Sequence, residues 1–80
     1  MSDKFPALHA KQVVRLLEKL DFVFMRQTGS SHAIYKRMSD HKRTVVPMHG
    51  TTIIKRKTLK SIIKDAGLDL EEFKKILLEL

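Results

Sequence analysis

Cysteine is absent from the 80 residues. Its absence excludes disulfide staples and thiolate chemistry and fits a reducing interior. No run approaches the roughly 18 apolar residues that a membrane helix requires. The opening Met1-Ser2-Asp3-Lys4-Phe5-Pro6 lacks the apolar stretch of an export signal. Repeats, low-complexity tracts and an interior linker are also missing. These absences predict a single small domain over residues 1–80, soluble and cytoplasmic, with a thin core. Acid is the other scarcity. Between residues 26 and 64, ten Lys/Arg stand against Asp40 alone, a local balance of +9 within a net charge of +7.

What is present fits a folded chain, since 42% hydrophobic and 31% charged residues are ordinary globular proportions. A basic segment this concentrated points to a polyanionic partner, nucleic acid first. The plain alternative is a solvated surface that keeps the protein in solution.

The apolar pattern predicts the elements. Val13, Leu16, Leu17 and Leu20 share one face of a helix over residues 9–20, started at Leu8 or His9. Three short strands follow, at Phe22–Gln27, His32–Arg37 and Arg43–Val46. The polar turn at residues 28–31 joins the first two as a hairpin, and Ser39-Asp40 suits the second turn. Pro47 ends the third strand or confines it to an edge. Leu59, Ile62, Ile63 and Ala66 give the next helix, with Thr58 as N-cap and Gly67 as the left-handed residue that closes it. Asp69 and Glu72 form a capping box for a short acidic helix striped by Phe73, Ile76, Leu77 and Leu80. The predicted fold class is α+β, an α-β-β-β-α order with a three-stranded antiparallel sheet and a short C-terminal helix. Such a sheet needs one face covered by the helices, which is the layout of a double-stranded-RNA-binding-domain-like fold.

The stretch Thr28-Gly29-Ser30-Ser31-His32-Ala33-Ile34-Tyr35 carries the most chemistry. Gly29, Ser30 and Ser31 offer backbone and hydroxyl donors to an anion, and His32 follows at the head of a strand. Strand parity puts His32 on the face of Ile34 and opposite Tyr35, so a role in local hydrogen bonding is the ordinary reading. Lys36, Arg37 and Arg43 add cations nearby. Lys55-Arg56-Lys57, continued by Lys60 and Lys64, forms a surface suited to tracking phosphates, or an ordinary exposed helix face. His49, after Pro47, is a second candidate acid or base and equally a loop cap. His41 reads as a turn residue and His9 as a surface residue. No His-x₃-His or Glu-bearing spacing marks a metal site, and no cofactor motif appears. Tyr35 and Phe24 read as core more readily than as base-stacking rings.

From Leu8 to Phe73 the chain resembles the HicA family, the toxin half of bacterial HicA/HicB toxin–antitoxin pairs. The resemblance runs through Val14-Arg15-Leu16-Leu17-Glu18, Phe22, Arg26-Gln27, the Gly29-to-Tyr35 motif and Val46-Pro47-Met48-His49-Gly50. It continues through Thr58-Leu59-Lys60-Ser61-Ile62-Ile63, Ala66-Gly67-Leu68 and Glu71-Glu72-Phe73. One extra small residue precedes the histidine relative to the family's usual Gly-Ser-His, and Lys57 stands where glycine is common. The resemblance implies a metal-independent endoribonuclease acting on single-stranded mRNA, with His32 as catalytic residue and a HicB-like antitoxin as partner. Imidazole suits that chemistry, because its pKa lies near working pH. Lys36, Arg37 and Arg43 are the expected source of charge for the phosphorane. Two other readings stay open: a non-catalytic RNA-binding module of the same fold, and a domain that engages an acidic protein through its basic face.

Overall fold

The computed structural model describes residues 7–29, 31–48 and 53–80. The element order is α1 (Ala10–Lys19), β1 (Val23–Thr28), β2 (His32–Arg37), β3 (Lys42–Pro47), α2 (Arg56–Asp65) and α3 (Leu70–Leu78). The strands form one antiparallel sheet in the order β1-β2-β3. This is the α+β arrangement anticipated from the apolar pattern, and it is consistent with a double-stranded-RNA-binding-domain-like fold.

The core lies between the helices and one sheet face. Val13, Leu16 and Leu17 from α1 meet Leu59, Ile62 and Ile63 from α2, with Phe22, Ala33, Tyr35, Val46 and Phe73. Within β2, Ala33 and Tyr35 enter this core, while Ile34 is buried outside it. The alternation of a strand therefore divides β2 into an inner face at residues 33 and 35 and an outer face at 32, 34 and 36. Thr44, beside Tyr35 in the register, is also buried, and its hydroxyl donates to Asp65 Oδ2 at 3.1 Å, fastening β3 to the end of α2.

Helix ends follow local chemistry. His9 is the N-cap of α1, and its backbone N–H donates to Gln12 Oε1 at 2.9 Å. Helix α2 begins earlier than Thr58, with Lys55 as N-cap and Thr58 inside the first turn. The Leu59 N–H donates to the Lys55 carbonyl at 2.8 Å, closing the first helical turn on Lys55 rather than on Thr58. Gly67 has φ +80 just past Ala66, the left-handed closure expected of it. In α3 the Asp69 side chain accepts from the Glu72 N–H at 2.8 Å, and the Asp69 N–H donates to Glu72 Oε1 at 3.0 Å. Phe73 docks α3 on the core, whereas Leu80, expected on the same stripe, is exposed because the helix ends at Leu78.

Arg37 joins the helical layer to the sheet. Its Nε and Nη2 donate to Asp40 at 3.1 and 2.9 Å, and its Nη1 donates to the Leu20 carbonyl at 3.1 Å. Nη2 also reaches the Ala66 carbonyl at 3.4 Å, and the guanidinium lies 4.8 Å from the centre of the Phe22 ring. One side chain thus satisfies carbonyls at the C-terminal ends of both α1 and α2. The hydrogen bond from Arg37 holds the Asp40 carboxyl below the usual aspartate value.

Replacing Arg37 by Ala should remove these bonds and the ring contact, lowering stability by about 2 kcal/mol in urea unfolding. Because the folded-state pKa of Asp40 is depressed, its contribution is present above the unfolded aspartate pKa. It is lost as pH falls through the folded value, so acid unfolding should be steeper for the native chain than for Arg37→Ala.

Candidate functional site

Both helices end at Arg37, at the C-terminal end of β2. Each spans ten residues, about 15 Å, so their N-terminal ends lie toward the opposite end of the sheet. There the Ile54 N–H donates to the Leu8 carbonyl at 2.8 Å, and His9 and Ile53 form an antiparallel bridge. The Met48 N–H donates to the Ser31 carbonyl, tying the exit of β3 to the β1–β2 turn. This end of the molecule therefore gathers the β1–β2 turn, the head of β2, the exit of β3 and the starts of α1 and α2.

His32 is the first residue of β2, paired with Thr28 on one side and Pro47 on the other, and it is exposed. Gly29 has φ +60 with open space around the position of a side chain, a conformation that glycine adopts without strain. Ser31 is half-buried beside it. Ser30 and His49 lie outside the described residues.

The electrostatics of this end favour an anion. Neither α1 nor α2 has an acidic residue in its first turn, and no side chain caps the start of α2. Helix N-termini carry partial positive charge from their unpaired N–H groups. Lys55, Arg56 and Lys57 stand exposed at the start of α2 and add full charges. Helix α3 is built the other way, with Asp69 as cap and Glu71 and Glu72 in its first turn. The positive ends left without acid are the two tied together by the Ile54–Leu8 bond and the His9–Ile53 bridge.

The other expected cations are not brought to His32. Lys36 and Arg43 are cross-strand partners on the same outer face. They lie four residues along β2 from His32, about 13 Å at strand rise. Arg37 is on the inner face with its guanidinium spent on Asp40 and two helix carbonyls. A charge count cannot separate these cases, because all three are basic residues near the motif in sequence.

Arg26 has a placement that sequence reasoning did not give. Simple alternation puts it on the same face as Phe24, yet it pairs with Ile34 on the outer face, where it is exposed. A register shift between Phe24 and Arg26 makes the difference. Phe24, expected in the core, is 54% exposed and meets Tyr35 only edge-on, with ring centroids 5.8 Å apart. It lies on the overhanging edge strand β1, beyond the cover of the helices, where every residue is exposed. Burial raises the Tyr35 pKa, reinforced by Glu18; the ring is a core residue.

Among the described residues, no group of three His, Cys, Asp or Glu could hold a metal ion. No helix among them is long and apolar enough to cross a membrane.

A family model described as "HicA toxin of bacterial toxin-antitoxin" matches residues 10–68, from the first turn of α1 to just past α2. The match covers both helices of the core layer, all three strands and His32, and leaves out α3. No curated protein matches the chain.

If Lys55, Arg56 and Lys57 follow phosphates, changing all three to Ala should flatten the salt dependence of binding to a single-stranded RNA. The slope of log K against log salt should fall by about 2, at roughly 0.7 per lost single-strand contact. Fluorescence anisotropy across a salt series measures it, and an unchanged slope would remove these residues from the surface.

Proposed function

The chain belongs to the HicA toxin family of bacterial toxin–antitoxin systems, and from that premise we propose that it is a metal-independent endoribonuclease that cleaves single-stranded mRNA with His32 as its proton carrier. The observation that supports this most is the placement of His32, exposed at the head of β2 at the end where two acid-free helix starts converge.

RNA brings its own nucleophile. Neutral His32 accepts the 2′-OH proton as the 2′-oxygen bonds to phosphorus. The imidazolium then returns that proton to the 5′-oxygen as the P–O5′ bond breaks. The products are a 2′,3′-cyclic phosphate and a free 5′-hydroxyl, and the enzyme ends in its starting protonation state. Donors at Gly29 and Ser31 can hold a non-bridging phosphate oxygen. His49 remains a second candidate for the acid step. Lys55, Arg56 and Lys57 bind flanking phosphates of the same strand.

Membership of a toxin–antitoxin family implies a restraining partner. In this reading a HicB-like antitoxin covers the His32 end with acidic residues that match its charge. The enzyme then works in the cytoplasm, where mRNA and antitoxin are both found.

Purified protein incubated with long single-stranded RNA in EDTA should cleave it. His32→Ala should lose at least about 10²-fold in rate, the usual size of general acid–base help. Equal cleavage by the two proteins would sink the His32 assignment. RNA binding without cleavage by either would favour a binding module of the same fold.

A further inference from the structure

We propose that Arg26 binds the scissile phosphate opposite His32, and that the bulge in β1 is the device that delivers it there. This rests on the ribonuclease reading of His32 and adds a residue which that reading does not contain.

The register carries the inference. On β1, Val23 pairs with Lys36 and Phe24 with Tyr35; the ladder resumes with Arg26 against Ile34, Gln27 against Ala33 and Thr28 against His32. Met25 has no partner of its own in this ladder. An extra residue in one strand resets which side chains point to which face beyond it. Phe24 and Gln27 thus share the inner face with Tyr35 and Ala33, while Arg26 and Thr28 share the outer face with Ile34 and His32. A regular strand continued from Phe24 would have turned Arg26 inward. Arg26 and His32 stand as diagonal cross-strand neighbours, with Cα atoms about 7–8 Å apart. That spacing leaves room for a phosphate between an arginine and an imidazole.

Elimination points the same way. Arg37 is committed to Asp40 and to helix carbonyls. Lys36 and Arg43 sit at the far end of the outer face, and Lys55, Arg56 and Lys57 belong to the helical layer. The Arg26 side chain is exposed and makes no hydrogen bond or ion pair to any described residue. In the row it shares across the sheet, Ile34 is buried and Val45 is exposed, so Arg26 is the charged member of that row on the outer face. Arginine suits the task because its planar fork grips two phosphate oxygens at once and stays charged at every working pH. As the 2′-oxygen adds, the phosphate gains negative charge, and a bidentate cation favours that state over the ground state.

The experiment compares single-stranded RNA cleavage by the full chain, Arg26→Ala, Arg26→Lys, and a double variant exchanging Arg26→Gln with Gln27→Arg. The exchange keeps composition and net charge but moves the cation to the inner face. Thermal melts confirm folding, and the Kd for a 2′-deoxy strand isolates binding. Arg26→Ala should lose about 10²–10³-fold in kcat. The exchange should lose as much, Arg26→Lys less, and the pH profile of each should keep its shape because arginine does not titrate there. Wild-type kcat in the exchange variant would overturn the proposal, showing that charge alone matters. So would full activity in Arg26→Ala beside an inactive His32→Ala, which would leave the ribonuclease reading intact. No cleavage by the native chain would overturn both.

Discussion

The guanidinium of Arg37 is the joint on which this small fold turns. A three-stranded sheet has one face to cover, and the two helices that cover it each end in carbonyls without helical partners. Arg37 accepts both burdens from the end of the central strand, bonding Leu20 and Ala66 while Asp40 and the Phe22 ring hold its own orientation. With only 18% of its side chain exposed, it is a largely dry cation whose charge is balanced locally by Asp40. Bonds of this kind are stronger than neutral ones and cost more when one partner is lost.

Pinning the carbonyl ends of α1 and α2 at one pole leaves their N–H ends for the other. The polarity of the molecule follows from that one constraint. Acid collects at Asp40, Asp65 and the start of α3, while the opposite pole has acid-free helix starts, three successive cations and His32. The basic excess read from the chain is therefore sorted in space: part of it builds the fold, part lines the outer face, and part stands at the His32 pole.

The order of elements was legible in the sequence because each rests on short-range causes: 3.6-residue and two-residue periodicity, Gly67 past a helix, Asp69 and Glu72 as a reciprocal cap. Where the reading departs from the structure, the cause is long-range. Phe24 is half exposed because β1 overhangs the helices, and Lys55 stands as N-cap of α2 in place of Thr58. His32 could be placed on the face of Ile34 from parity alone. Arg37 could not be told from Arg43, since adjacency in sequence says nothing of which carbonyls lie within reach.

The bulge at Met25 shows how the facing of a side chain can be hidden in a chain whose fold is plain. A strand has a period of two, so one extra residue reverses the facing of everything beyond it. Hydrophobic pattern cannot announce this here, because β1 is exposed along its whole length and its two faces look alike. Only pairing with β2, whose faces are sharply distinguished by Tyr35 and His32, assigns a side to Arg26. The edge strand is thus free to carry the irregularity that a central strand would transmit to the core, and the sheet can place an arginine beside the histidine without disturbing the packing beneath.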